Sequence, residues 1–204
     1  MSAPVVLPEL GILFRADMVR AILAGEKTET RRAVKFGTVS VSPLACSDQT
    51  IRQTLAKPCR YAPGRRLWVR ETWRPGWAES DPDGAWITYK ADDAVLWQDA
   101  DRGGIELDTW FDAQSRHPAD HWRPSILMPR WASRTNLRVA AIRVERLADI
   151  TPAGVRAEGF VHAGLGATPE DYGRAYRQMH KLPNTANPFV WVVTFTREEP
   201  PHAR

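Results

Sequence analysis

Two stretches late in the chain constrain its fold more than anything before them. From Asn136 to Leu147 apolar side chains recur at or near every second position (Leu137, Val139, Ala141 or Ile142, Val144), the period of a strand with one buried face. Val190-Trp191-Val192-Val193-Thr194-Phe195 is instead apolar almost throughout, which suits a closing strand in the middle of a sheet. Between them stand two helix starts of the same kind. Thr151 is followed by Pro152 in a segment that runs through Val155 and ends near Gly159, and Thr168 by Pro169 in one that reaches about His180. A threonine hydroxyl takes an N–H that the first helical turn leaves unbonded, and proline suits the first position because it has no N–H to lose.

Upstream the signals are shorter. Gly11-Ile12-Leu13-Phe14 reads as a strand, Asp17 as the cap of a helix with Met18, Val19, Ile22 and Leu23 on one face, and Gly25 as its end, followed by a polar loop. Residues 38–63 have little periodicity and many Ser, Thr and Pro residues, the composition of a long connection. After the Pro63-Gly64 turn, Leu67 to Trp73 alternates as a strand, and Ala85 to Lys90 reads as a further one. Five or so strands with three helices predict an α+β fold shaped as a small mixed barrel.

At 204 residues, 43% hydrophobic and 25% charged, the chain suits one domain, 1–204, and neither a disordered nor a fibrous protein. Its charge is unevenly spread. From Gly76 to Trp122 eleven acidic residues face three basic ones, a segment charge of −8 in a chain of net charge +4, so residues of about 76–122 read as an acidic insertion in a basic body. Of the 28 basic residues lysine supplies only positions 27, 35, 57, 90 and 181. Arginine suits bidentate phosphate contacts and stacking on bases, which leans towards nucleotides or nucleic acid; a GC-rich genome produces the same preference. No apolar run reaches the roughly 18 residues that span a bilayer, and MSAPVVLPEL lacks the features of a signal peptide, so a cytoplasmic protein with no membrane partner is expected. Cys46 and Cys59 have no CxxC spacing. His117 and His121 are four apart but Pro118 argues against the helix that would pair them, so neither a metal nor another cofactor is expected.

The densest polar constellation is Gly25-Glu26-Lys27-Thr28-Glu29-Thr30-Arg31-Arg32. A lysine three residues from a threonine, beside two arginines, fits a nucleophile with its activating amine, but taken alone it reads more readily as a solvated, charged helix exit. It is no phosphate-binding P-loop, since the glycine-rich stretch is missing. Glu71 shares the otherwise apolar side of its strand with Leu67, Val69 and Trp73, so it is either paired with a cation, Arg32 being the obvious one, or placed for function. Trp68, Trp73 and Trp131 could each stack a base, and tryptophan is more often core.

The segment from Ile22 to Arg32 resembles the G-x-K-T-x-T-x-R signature of the ASCH domain family. The resemblance continues through Tyr61 to Trp73, Trp122 to Arg134, and Val144 to Gly159, in the manner of the longer ASCH proteins of bacteria and their phages. It implies a PUA-like β-barrel and two functional classes: RNA binding, and hydrolysis of the N4-acyl amide of acylated cytidines by a lysine, a threonine and a glutamate. On this chain those residues are Lys27, Thr30 and Glu158, with Arg32, Glu71, Trp68 and Trp73 as the expected substrate contacts. The expected ligand is then a modified pyrimidine nucleoside or nucleotide, ranked above RNA because the acidic segment would repel a phosphate backbone. Either Lys27, if neutral, or Glu158 could take the threonine proton, and the resemblance leaves both open. A non-catalytic RNA-binding module would show Arg52, Arg60, Arg65 and Arg66 as one basic stripe; an RNA nuclease ranks behind it.

Overall fold

The computed structural model describes residues 7–34, 60–78, 81–98 and 121–198. In chain order these form β1 (Leu10–Leu13), α1 (Ala16–Leu23), β2 (Glu29–Ala33), β3 (Arg66–Arg70), β4 (Trp73–Ala78), β5 (Asp81–Tyr89), β6 (Val95–Gln98), β7 (Asn136–Arg146), α2 (Pro152–Ala157), α3 (Pro169–Met179) and β8 (Phe189–Glu198). Short 3-10 turns cover Ser125–Leu127, Arg130–Ala132 and Leu147–Asp149. One sheet has the order β1-β3-β7-β8-β2 and the other β4-β5-β6. The class is α+β, as expected, but among the described residues the strands make two open sheets and neither closes into a barrel.

The described residues group into two compact units: 7–10, 21–34, 60–67 and 137–198, and 11–20, 68–78, 81–98 and 121–136. In the first, the two threonine-proline starts cap α2 and α3, with Thr151 Oγ1 accepting from Gly154 N at 3.1 Å and Thr168 Oγ1 from Asp171 N at 3.1 Å. The inner faces of these helices, carrying Val155, Tyr172 and Tyr176, bury against Leu147, Val190 and Val192. Each fully buried aliphatic residue of this kind contributes about 1.5–3 kcal/mol. In the second unit Trp73, Ile87, Tyr89, Met128 and Ala132 form a separate cluster.

Three expectations about single elements are corrected, and one strand is new. The polar loop after Gly25 is β2, an edge strand that β8 recruits in antiparallel register, Thr30 opposite Val193 and Arg32 opposite Trp191. Its five residues show no apolar alternation, because pairing with an apolar strand supplies the order. Asp17 lies inside the first turn of α1 instead of before it, where its carboxylate accepts from Met18 N and from Arg15. The Leu67 to Trp73 strand is broken at Glu71 and Thr72, since Trp73 begins a different pairing, opposite Tyr89. β6, which pairs with β5, was not expected at all. Residues 38–59 of the long connection, both cysteines, His117 and residues 79–80 and 99–120 of the acidic insertion lie outside the described residues. Among the described residues no helix is long and apolar enough to cross a membrane.

Candidate functional site

Gly25, at φ +78°, turns the chain out of α1, and Lys27 N then bonds back to Ala21 O at 3.0 Å. Two further bonds hold the next residue: Thr28 N donates to Ala157 O at 2.8 Å, and Thr28 O accepts from Phe195 N at 2.9 Å. Residues 27–33 are thus held between the end of α2 and β8. On the α2 side the helix stops at Glu158, and Gly159 follows at φ +70°. A side chain at 159 would put its Cβ 2.7 Å from that of Ala21 and 2.9 Å from that of Lys27. Glycine is required here twice over, by conformation and by the closeness of two other segments.

This packing brings Lys27 and Glu158 together across 131 residues, both almost fully buried at 3% and 5% exposure. Lys27 Nζ donates to Glu158 Oε2 at 2.6 Å, Glu158 O at 2.8 Å and Glu29 O at 2.7 Å. Three acceptors at such distances suit an ammonium, which has three N–H groups; a neutral amine has two. Burial lowers the Lys27 pKa from the ordinary lysine value, Glu158 works against this, and Arg32 and Arg31 add to the lowering.

The other carboxylate oxygen, Glu158 Oε1, accepts from Arg31 N at 2.6 Å, Tyr172 Oη at 2.8 Å and Arg31 Nη1 at 3.4 Å. Burial pushes Glu158 up, but Lys27, Arg31 and Tyr172 together hold it below the usual carboxylate range. Arg31 continues the network. Its guanidinium meets Glu145 Oε1 through Nε at 2.8 Å and Nη2 at 2.7 Å, and passes close over Gly154, where a Cβ would stand 2.9 Å from Nη2. Arg143 grips Glu29 with two bonds of 2.7 and 3.1 Å, and burial of Glu29 is outweighed by Arg143 and Arg31, so its pKa also falls. Lys27, Arg31 and Arg143 therefore interleave with Glu29, Glu145 and Glu158, three charges of each sign.

Thr30 is buried on β2, at 4% exposure, and does not lie in the polar loop expected after Gly25. The pleat sends Thr30 and Arg32 to one face of the strand, and Glu29 and Arg31 to the other. Because β2 is the last strand of its sheet, the Arg31 N–H that Glu158 takes points away from β8, so the carboxylate lies beside the outer edge of the strand. Thr30 leaves the backbone one residue from that edge contact.

The remaining expected contacts belong to the second unit. Glu71, 1% exposed, is paired with Arg134 and not with Arg32: Nε and Nη2 reach its two oxygens at 2.9 and 3.0 Å, and the same guanidinium holds Asp92. Burial raises the Glu71 pKa despite that pairing. Trp73 takes the core reading, fully buried with Trp131 edge-on at 6.1 Å. Trp68 is half-buried, with the guanidinium of Arg70 5.1 Å and that of Arg130 5.9 Å from its ring centre. Of the proposed basic stripe, Arg66 is paired with Glu9 and Glu198, Arg65 donates to Pro8 O and Arg60 lies over Tyr61, while Arg52 falls outside the described residues. Among the described residues no group of three His, Cys, Asp or Glu side chains is arranged to hold a metal ion.

Sequence reasoning missed Tyr172, Glu145 and Arg143. For Tyr172 the available signal was the spacing of Tyr172, Tyr176 and His180, four residues apart from α3 into its C-cap, which places three rings on one face.

No family model matches the chain, and no curated protein matches it. Among solved structures it is similar to protein EF3133 from Enterococcus faecalis V583, described as family-model DUF984, at 8% identity and a TM-score of 0.40 over 95% of this chain and 77% of that one.

Proposed function

We propose that this chain is an ASCH-type, PUA-like protein that hydrolyses the N4-acyl amide of a cytosine nucleoside at the outer edge of β2. The observation that carries the reading is Lys27 Nζ, buried and surrounded by three acceptors at 2.6–2.8 Å, with Glu158 as its counter-charge beside the strand that holds Thr30. Between the two assignments open from sequence, this favours a charged Lys27 and leaves Glu158 to move the proton. Thr30 Oγ1 attacks the acyl carbon as Glu158 accepts its proton, and the C–N bond breaks as that proton passes to the departing amine. Water then hydrolyses the threonine ester, releasing the carboxylic acid and restoring the hydroxyl. An oxyanion formed on the way replaces one of the two backbone carbonyls on the Lys27 ammonium, an exchange of a neutral acceptor for a charged one.

Incubating the purified chain with N4-acetylcytidine and following the cytidine released tests this directly. Turnover is expected; absence of cytidine at high protein concentration and long times would refute it.

A further inference from the structure

Tyr176 stands one turn of α3 beyond the tyrosine that bonds Glu158. The residue is buried, at 5% exposure, yet its hydroxyl has no hydrogen-bond partner among the described residues. The ring itself is well held: Tyr172 lies 6.2 Å away centre to centre and His180 4.3 Å away at 34°. The position of the hydroxyl is therefore determined by packing, not by bonding. Buried hydroxyls in proteins are nearly always paired, and phenylalanine would fill the same space without the desolvation penalty. The neighbourhood is that of the site already described. Burial pushes the Tyr176 phenol up to about 12, with Arg32 pulling it down and Glu158 pushing it up, so both charges act on this hydroxyl and it stays protonated at neutral pH.

We infer that Tyr176 is a substrate-binding residue whose hydroxyl donates to a carbonyl oxygen of the bound pyrimidine. This rests on the hydrolase reading above. The acceptor assignment follows from donor chemistry: a phenol O–H near a guanidinium calls for an oxygen acceptor, and on a pyrimidine base that acceptor is the ring carbonyl oxygen. The aromatic row of Tyr172, Tyr176 and His180 offers no charge of its own to a neutral base, apart from protonated His180, which burial and Arg32 disfavour.

The test is Tyr176→Phe in the full chain, with thermal unfolding and steady-state hydrolysis of N4-acetylcytidine measured side by side. The variant is expected to unfold at the wild-type temperature or above it, while its KM rises about tenfold, the usual effect of one lost hydrogen bond, and kcat stays within about twofold. A melting temperature several degrees lower would show that the hydroxyl is bonded within the fold, and an unchanged KM that it does not touch the ligand; either overturns the inference while leaving the hydrolase reading intact. Wild-type protein inactive on N4-acetylcytidine would overturn both.

Discussion

In the proposed hydrolysis Thr30 attacks and Glu158 moves the proton, and their surroundings set different expectations for each. Thr30→Ser keeps a hydroxyl and should retain measurable turnover. Thr30→Ala should lose about 10³-fold or more in kcat, since the attacking atom is gone. Because Thr30 is buried, the alanine variant should also lose a little stability, so its folding is checked by circular dichroism before its rate is read. Undiminished hydrolysis by Thr30→Ala would move the attack to a water molecule. For Glu158 the pH dependence has a definite sign. A carboxyl whose pKa is lower in the folded than in the unfolded protein stabilises the fold above its unfolded value, and that contribution vanishes as pH falls through the folded value. Glu158 and Glu29 are both of this kind, so unfolding temperature should be insensitive to their titration above about pH 5 and fall from the ordinary value near 4.5 downward. Glu158→Gln should remove its part of that acid-side loss and lower stability at pH 7 by about 3–5 kcal/mol, because Lys27 is left buried without its counter-charge. An unchanged melting temperature at pH 7 would contradict the buried pairing.

At the scale of elements, the site depends on a glycine where three segments meet. Gly159→Ala combines a left-handed backbone, worth about 1–2 kcal/mol against any L side chain, with a Cβ too close to both Ala21 and Lys27, so a loss above that figure is expected in urea unfolding. A loss of a few tenths would mean that α1 and α2 separate at little cost. The elements that present these residues differ in how far they were legible. α2 and α3 could be read because a capping threonine and an N1 proline act locally, and β7 and β8 because their apolar pattern is carried by their own residues. β2 could not be read so: Glu29-Thr30-Arg31-Arg32-Ala33 is polar, and only its pairing with β8 makes it a strand. Lys27, Thr30 and Glu158 were named through the family resemblance. Spacing alone favoured a solvated helix exit for Lys27 and Thr30, and said nothing of Glu158. Tyr172 escaped because the face a helix buries, and what that face meets, depend on residues far away in the chain. For Glu71 the alternation correctly gave a buried side and not the partner, since Arg134 is 63 residues distant.

For the whole molecule the question is whether its arginines serve a nucleoside site or a nucleic-acid track. Many are already engaged: Arg31, Arg66, Arg134 and Arg143 all bond carboxylates. A nucleoside neutralises no phosphates, so its affinity should change little between about 50 and 200 mM salt, whereas several phosphate contacts would cost orders of magnitude over that range. Measuring single-stranded RNA beside N4-acetylcytidine at both salt levels separates the two, and tight, steeply salt-dependent RNA binding without hydrolysis would favour the binding module. The proposal is that the buried Lys27–Glu158 pair at the edge of β2 is a hydrolytic centre, and not only an ion pair that holds α2 to the strand. It is tested most directly by the rate of cytidine release from N4-acetylcytidine by the wild-type chain and by Thr30→Ala and Glu158→Gln, each shown to be folded at the assay temperature. The expected result is turnover by the wild type alone; equal rates in all three, or none in any, would contradict it.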